Sequence, residues 1–424
     1  TTKCLDGQRG TGGGWCEGPY RGRAGQPASQ VHGELLSASP LRRGDQHQDL
    51  CHPFILSRLP TQGELARPAR MRLVTRLLHL VASDQRRGAE TFGVQLGEHL
   101  AADGHEVRVM AVTASQSGEV LPVELAGQGS APRAVVDLVR AVRWAELVVA
   151  FGSITLDVAA ALGTLLGRPF IYRNIGDPSV WAQTPARSLR VRTSIRRAAR
   201  VVALYPDAAT ELSERYGLSR ANMRVIPRGV PDAAFGPADA ERRRAAREAL
   251  GLGSDRRWLL YLGALSPDKD PLAAIELMGR LPDDVGLQVA GEGPLAEAVS
   301  EAARPFGDRI RLWGPVGDVR ALFDATEVMV LPSLPEGIPG SGIEAGLSGV
   351  PVVASAVGGV PELIDDRVTG ALVASSDPTA LAAATLEALE HRDAWGAAAR
   401  ERCLQRFSMA SVGARWAELV GEWA

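Results

Sequence analysis

From Met71 onward the chain alternates short apolar runs with amphipathic stretches. The apolar runs have the length and the β-branched content of buried strands. The predicted strands of the first half are "MRLVTRLLHLVA", "HEVRVMAV", "AELVVAFG", "PFIYRN", "RVVALY" and "MRVIP". Between the first two runs, "AETFGVQLGEHLAADG" is typical of a helix that ends at Gly104. This alternation predicts a parallel sheet with helices on both faces.

The pattern breaks near "GVPDAAFGPADAERRRAAREALGLGSDRRW" and then restarts. The later predicted strands are "WLLYLGAL", "GLQVAGEG", "RIRLWG", "EVMVLPS", "PVVASAV" and "GALVA". We therefore expect two Rossmann-like, doubly wound α/β units facing a cleft, residues 71–235 and 236–406. A C-terminal helix over residues 407–424 is expected to pack back toward the first unit. Ligands of open parallel sheets bind beyond the carboxyl ends of the strands, so the loops there are the candidates for chemistry.

The first seventy residues lack both the helical and the strand period and are rich in Gly, Arg and Gln. The chain also opens on Thr1, without the apolar segment of a secretory signal. We expect residues 1–70 to be a disordered extension outside the native protein, and Met71 to be the native start.

Composition narrows the class of protein. A formal net charge of −2 on 424 residues favours neither nucleic acid nor a membrane as partner. No apolar run is long enough to span a bilayer. The four cysteines and seven histidines show no metal-ligand spacing, so no metal and a reducing cytoplasm are expected. His79 and His105 lie in or beside strands and are expected to be structural.

A basic stretch, "RSLRVRTSIRRAAR" at residues 187–200, carries six arginines with Leu189, Val191 and Ile195 among them. One interpretation is weak peripheral contact with anionic lipid at the inner membrane surface, which would suit a lipid-linked acceptor. The other is a solvated helix face.

Two loops in the second half carry glycines directly after strands. "WLLYLGALSPDKDP" contains Gly263 and Lys269, which suit an approach to phosphate or a plain turn. "VAGEGPLAEA" places Gly291 and Gly293 in a formal dinucleotide pattern. However, "RIRLWG" supplies no acidic residue for a ribose, so NAD binding is not expected, and no P-loop motif occurs.

The segment "EGIPGSGIEAGLSGVPVV" follows a strand and sets Glu336 and Glu344 on either side of a Gly-rich loop. Ser341 and Glu344 have the spacing of a helix capping box, which would make the glutamate structural. Alternatively, the bare amides of a short helix bind an anion, and the two carboxylates accept hydrogen bonds from sugar hydroxyls. A diphosphate between two sugars fits that arrangement.

Here the sequence resembles a known family. "LPSLPEGIPGSGIEAGLSGVPVVASAVGGVPELIDDRVTGALV" is similar to the motif of GT-B glycosyltransferases of the retaining family 4 type, and the resemblance extends over residues 71–424. It implies transfer of a sugar from a nucleotide-diphosphate sugar, with retention and with neither a bound metal nor a cofactor, to an acceptor that it leaves open.

The resemblance also implies residue roles. Glu336 would contact the donor sugar, Lys269 the diphosphate and Glu344 the ribose, while Arg87 and Gly88 would form an acceptor-side loop. Further donor contacts are implied for Gly263, Gly291, Gly293, Gly337, Ile338, Pro339, Gly340, Ser341 and Gly342.

Two departures from the family pattern matter. The family usually has Arg at the position of Ala264, and a His where this chain has Phe151, Gly152 and Ser153. Arg228 or Arg173 are candidates to replace the missing cation. These departures motivate one alternative, a non-catalytic nucleotide-sugar binding protein. A GT-B epimerase or phosphorylase is the other.

Overall fold

The computed structural model describes residues 75–115, 119–176, 184–374 and 376–423. These residues belong to one compact unit. The predictions about residues 1–70 and about Met71 lie outside the described residues.

The first sheet has seven parallel strands. They are β1 (Arg76–Ser83), β2 (Glu106–Thr113), β3 (Glu124–Leu125), β4 (Leu147–Phe151), β5 (Phe170–Arg173), β6 (Arg200–Ala203) and β7 (Met223–Val225). Their order in space is β3-β2-β1-β4-β5-β6-β7. Alternate residues of β1 enter two cores, with Leu78 and Leu80 on one face and Leu77 and Val81 on the other. The sheet is therefore buried on both faces, as parallel sheets are.

Among the residues that the structure describes, five α-helices of the first domain cover this sheet. They are α1 (Gly88–Ala102), α2 (Ala131–Trp144), α3 (Ser153–Leu166), α4 (Pro185–Ile195) and α5 (Pro206–Tyr216). Helices α3 and α5 are each followed by a left-handed glycine, Gly167 and Gly217, both at φ 64°. Glycine ends a helix in this way because it lacks the Cβ that disfavours the left-handed conformation.

The second sheet has six parallel strands. They are β8 (Arg257–Leu262), β9 (Val285–Ala290), β10 (Ile310–Gly314), β11 (Val328–Leu331), β12 (Val352–Ser355) and β13 (Gly370–Val373). Their order is β10-β9-β8-β11-β12-β13. The chain reverses its direction of travel across each sheet at one place, between β1 and β4 in the first and between β8 and β11 in the second. The predicted pair of doubly wound α/β units is confirmed.

Nine further helices are described after the first domain. They are α6 (Ala240–Ala249), α7 (Pro271–Glu276), α8 (Ala296–Ala303), α9 (Arg320–Asp324), α10 (Gly340–Leu347), α11 (Val360–Leu363), α12 (Pro378–Glu390), α13 (Arg392–Phe407) and α14 (Met409–Val420). Helix α14 packs on the first domain, where the fully buried Trp416 stacks on Phe151 with ring centroids 6.4 Å apart. Because α13 belongs to the second domain, this packing joins the two halves.

Candidate active site

The loops after β8 and β11 meet at one ion pair. Lys269 Nζ lies 2.6 Å from Glu336 Oε2, and the hydroxyl of Ser333 donates to the same oxygen at 3.2 Å. The side chains of Lys269 and Glu336 are 26% and 15% exposed, so a ligand can reach both. Strands β8 and β11 are neighbours at the switch point of the sheet, and their loops therefore emerge side by side.

The backbone around Glu336 is held by a glycine pair that follows β12. The Gly359 N–H donates to the Gly337 carbonyl at 3.0 Å. A Cβ on Gly358, which has φ 53°, would lie 1.8 Å from the carbonyl oxygen of Glu336. Only glycine fits there. These two residues were not among the predicted site residues, although a double glycine shortly after a strand was the available signal.

Helix α10 begins at Gly340 with Pro339 as its N-cap, and no side chain in the described part of the chain caps it. The capping-box prediction for Ser341 and Glu344 is therefore wrong, because the extended Pro339 occupies the N-cap and moves Ser341 into the first turn. The first intrahelical bond runs from the Ile343 N–H to the Pro339 carbonyl at 3.1 Å. The three amides before it have no intrahelical acceptor, which gives the helix start its affinity for anions.

Glu344 lies one turn into α10. Burial raises the pKa of Glu344, while the positive charges of Arg228 and Arg86 lower it. Two arginines of the first domain are thus close enough to act on a carboxylate of the second. Arg86 itself pairs with Glu119 at 2.7 Å.

Other residues of the predicted donor-binding loop pack against neighbouring side chains rather than extending into the cleft. Ile338 is 5% exposed and belongs to the core of the second domain. A Cβ on Gly342 would lie 2.7 Å from Leu363 Cδ2. Part of the glycine content of this loop therefore serves close packing, and contacts from these residues to a ligand would come from their backbone.

The glycines after β8 and β9 bring two loops together. The Gly263 N–H donates to the Ala290 carbonyl at 3.1 Å, and the Gly291 N–H to the Gly314 carbonyl at 2.8 Å. A Cβ on Gly291 would lie 1.8 Å from the Gly263 carbonyl, and one on Gly293 2.4 Å from that of Leu265. The amides of Gly263 and Gly291 are therefore already used. Donor contact by these glycines stays a prediction.

The first domain faces this site through the loop before α1. Arg87 is the exposed N-cap of that helix, and Gly88 is its first residue. A Cβ on Gly88 would lie 2.7 Å from Arg228 Nη1, so the loop touches an arginine that was only a candidate in the sequence. The acceptor-side role of Arg87 and Gly88 stays a prediction.

The segment in which the resemblance predicts a His, Phe151 to Ser153, contains a turn at Gly152. Gly152 has φ 90° and precedes α3, and a Cβ there would lie 2.8 Å from Ile175 Cδ1. Arg173, at the end of the neighbouring strand β5, is 2% exposed. Its guanidinium carbon is 4.1 Å from the centre of the Phe92 ring.

No group of three or more His, Cys, Asp or Glu side chains that could hold a metal occurs within the described ranges. In that same part of the chain, none of the helices is long and apolar enough to cross a bilayer.

Two parallel-sheet domains with facing loops, one carrying a Lys–Glu pair beside an uncapped helix start, define a GT-B protein. The family model described as "Glycosyltransferase Family 4" matches residues 86–234, and "Glycosyl transferases group 1" matches residues 256–391. Together they cover well over half of the chain. It belongs to the GT-B glycosyltransferases.

Known relatives agree with this assignment. D-inositol 3-phosphate glycosyltransferase of Geodermatophilus obscurus is 34% identical over 232 residues, 51% of this chain and 51% of that protein. The Mycobacterium tuberculosis enzyme of that name is 32% identical over 209 residues, 46% of this chain and 42% of that protein. The chain spans about half the length of the relatives it matches.

A solved structure shows the same fold over nearly its whole length. Anabaena Alr3699/HepE in complex with UDP and glucose has a TM-score of 0.73 at 21% identity, and the match covers 82% of this chain and 99% of that one. At this identity the likeness concerns the fold.

Proposed function

We propose that this protein is a retaining glycosyltransferase that moves a hexosyl or related sugar from a nucleotide-diphosphate sugar to an acceptor without a bound metal. The observation that carries the proposal is the Lys269–Glu336 pair at the switch point of the second sheet. It lies on the loop that leads into the uncapped start of α10, with Glu344 one turn further on.

The reaction breaks the bond between the anomeric carbon and the diphosphate. Negative charge grows on the departing phosphate oxygen, and the sugar gains oxocarbenium character. Positive groups fixed beside the leaving oxygen would be the largest catalytic contribution. Lys269 has three N–H donors, so it can hold Glu336 and still donate to a phosphate oxygen.

Glu336 would accept hydrogen bonds from the hydroxyls of the donor sugar. Its Oε2 is already taken by Lys269 and Ser333, which leaves Oε1 for the sugar. Glu344 would hold the ribose. The diphosphate then lies between them, at the amides of Gly340, Ser341 and Gly342. The departing diphosphate would help to deprotonate the acceptor.

The relatives suggest which substrates to test first. Because Anabaena Alr3699/HepE was solved with UDP and glucose, UDP-sugars are the first donors. Because the similar sequences are named D-inositol 3-phosphate glycosyltransferases, that phosphorylated polyol is the first acceptor.

The experiment has two stages. Thermal unfolding with UDP-, GDP- and ADP-sugars identifies the donor through the rise in melting temperature that binding produces. Nuclear magnetic resonance of the product sugar then follows transfer and reads the anomeric configuration, with and without EDTA. Retention with unchanged rates in EDTA supports the proposal. Binding without turnover across acceptors would favour a binding protein, and loss of activity in EDTA would contradict metal independence.

We also propose, more narrowly than the sequence suggested, weak contact of α4 with anionic lipid at the cytoplasmic side of a membrane. Val191 and Ile195 are core residues, 2% and 0% exposed, so only Leu189 adds apolar surface among the arginines. Arg190 pairs with Asp157 at 3.0 Å. Sedimentation with phosphatidylglycerol vesicles should show weak, salt-sensitive binding that Leu189→Ser reduces. Equal binding to phosphatidylcholine vesicles would contradict it.

A further inference from the structure

Arg228 follows β7 and reaches from the first domain to the start of α10. Its guanidinium occupies the space that a side chain at Gly340 would fill, with Cζ 2.6 Å from the Cβ position there. Its Nη1 likewise lies 2.7 Å from the Cβ position of Gly88. Two glycines, one in each domain, therefore leave room for one cation beside the bare amides of the helix.

Arg173, at the end of β5, is a second poorly solvated cation of the first domain. It is 2% exposed, and its Nε and Nη2 are buried with no hydrogen-bond partner in the described part of the chain. Burial and the nearby charge of Arg228 lower the pKa of Arg173 to about 9.

Neither arginine forms an ion pair among the described residues, although two carboxylates are near. The charges of Glu344 and Glu336 raise the pKa of Arg228, against the larger lowering by burial. Glu336, however, is held by Lys269, and Arg228 Nε has no hydrogen-bond partner within the described ranges. The Arg228 guanidinium lies beside the free amides of a helix start, and none of the described carboxylates forms an ion pair with it, so this place favours a bound anion.

We propose that Arg228 binds the diphosphate of the donor from the opposite domain. This inference rests on the proposed function. The loop after β8 carries a single cation, Lys269, since its other candidate position is Ala264. Arg228 would supply the second one across the cleft, so that a bound donor contacts both domains at once.

The test measures binding of UDP, GDP, ADP and inorganic pyrophosphate to the full chain by calorimetry. The variants are Arg228→Ala, Arg228→Lys and the control Arg224→Ala, which removes a surface arginine of β7 that pairs with Glu422. Losing a charge-assisted contact should weaken nucleoside diphosphate and pyrophosphate binding about 10- to 100-fold. Arg228→Lys should restore part of it, while the control and the melting temperatures should stay unchanged.

Three other results would overturn the inference in distinguishable ways. Unchanged nucleoside diphosphate affinity in Arg228→Ala would refute the role of Arg228 and leave the proposed function standing. If Arg228→Ala leaves the donor affinity unchanged but raises the KM for D-inositol 3-phosphate, Arg228 binds the phosphate of the acceptor instead. If the wild-type chain binds neither pyrophosphate nor any of the three nucleotides, both proposals fail together.

Discussion

Lys269 Nζ and Glu336 Oε2 lie 2.6 Å apart, although 67 residues separate them in the sequence. Their strands are adjacent only because the second sheet changes direction between β8 and β11. The pair therefore depends on the topology of the fold, and it puts a positive and a negative group at the place where a sugar-phosphate bond would break.

Lys269 offers a selective probe of this site. Apart from Lys3 it is the only lysine of the chain, so a Lys3→Arg variant leaves one ε-amino group. After reductive ¹³C-methylation, the resonance of Lys269 should shift when UDP binds and when Glu336→Gln removes its partner. Lys269→Ala should lower kcat/KM about 100-fold or more, because a group facing the leaving oxygen is lost. If the methyl resonance of Lys269 does not shift when UDP is added, the contact of Lys269 with the diphosphate is contradicted.

Gly340→Ala tests the space that Arg228 occupies. The added methyl group would lie 2.6 Å from Arg228 Cζ, so the guanidinium must move away from α10. We expect UDP affinity to fall about 10-fold with little change in melting temperature, since a flexible side chain can give way. Gly236→Ala is the control, because no atom lies within 4 Å of its Cβ position. Equal affinities in both variants would contradict the placement of Arg228.

Gly396→Ala tests how α13 packs on the segment after α10. A Cβ there would lie 2.2 Å from the Gly349 carbonyl oxygen, and backbone cannot move aside cheaply. The free energy of unfolding in urea should fall by about 1–3 kcal/mol. Gly421→Ala, which meets nothing within 4 Å, should change it by less than about 0.5 kcal/mol. A stable Gly396→Ala protein would show that this contact is looser than described.

The burial of His79 predicts that the free energy of unfolding falls in acid. The ring is fully buried in β1 and donates from Nδ1 to the Gly93 carbonyl at 2.8 Å. Burial lowers the pKa of His79 to about 4, against the weaker effect of that hydrogen bond. The unfolded chain therefore binds a proton that the folded chain rejects, and stability contributed by the neutral ring is lost as pH falls from about 6.5 toward 4.

The size of this effect follows from the shift. Between pH 7 and pH 5, His79 should remove about 2 kcal/mol of the free energy of unfolding. Urea titrations at both pH values measure it. His79→Gln should flatten the pH dependence by that amount, whereas His391→Gln, which changes an exposed histidine, should follow the wild type. If the free energy of unfolding of His79→Gln changes between pH 7 and pH 5 as much as that of the wild type, the prediction is wrong.

Much of the fold was predictable because the strands of a buried parallel sheet are continuous apolar runs. Every described strand except β3 overlaps a predicted strand, and β3 is only two residues long. The helix over "AETFGVQLGEHLAADG" likewise lies where the pattern predicts, as α1. The confirmed fold class thus follows from local patterning.

The site was less predictable because its contacts are between distant segments. The approach of Arg228 to Gly340 depends on how two domains face each other, which no local pattern encodes. The Ser341 capping box failed for a local reason, since a proline one residue before the helix took the N-cap position. The two glycines that hold the Glu336 backbone, Gly358 and Gly359, were visible in the sequence but acquire meaning only from the loop they touch.

The most direct test of the central claim separates chemistry from binding in Glu336→Gln. The measurement compares sugar transfer and UDP affinity with those of the wild type, using Glu297→Gln on the exposed face of α8 as the control. Transfer should fall at least about 100-fold in Glu336→Gln while UDP binds within a few-fold of the wild type, because the carboxylate faces the sugar rather than the nucleotide. Wild-type transfer rates in Glu336→Gln would contradict the account.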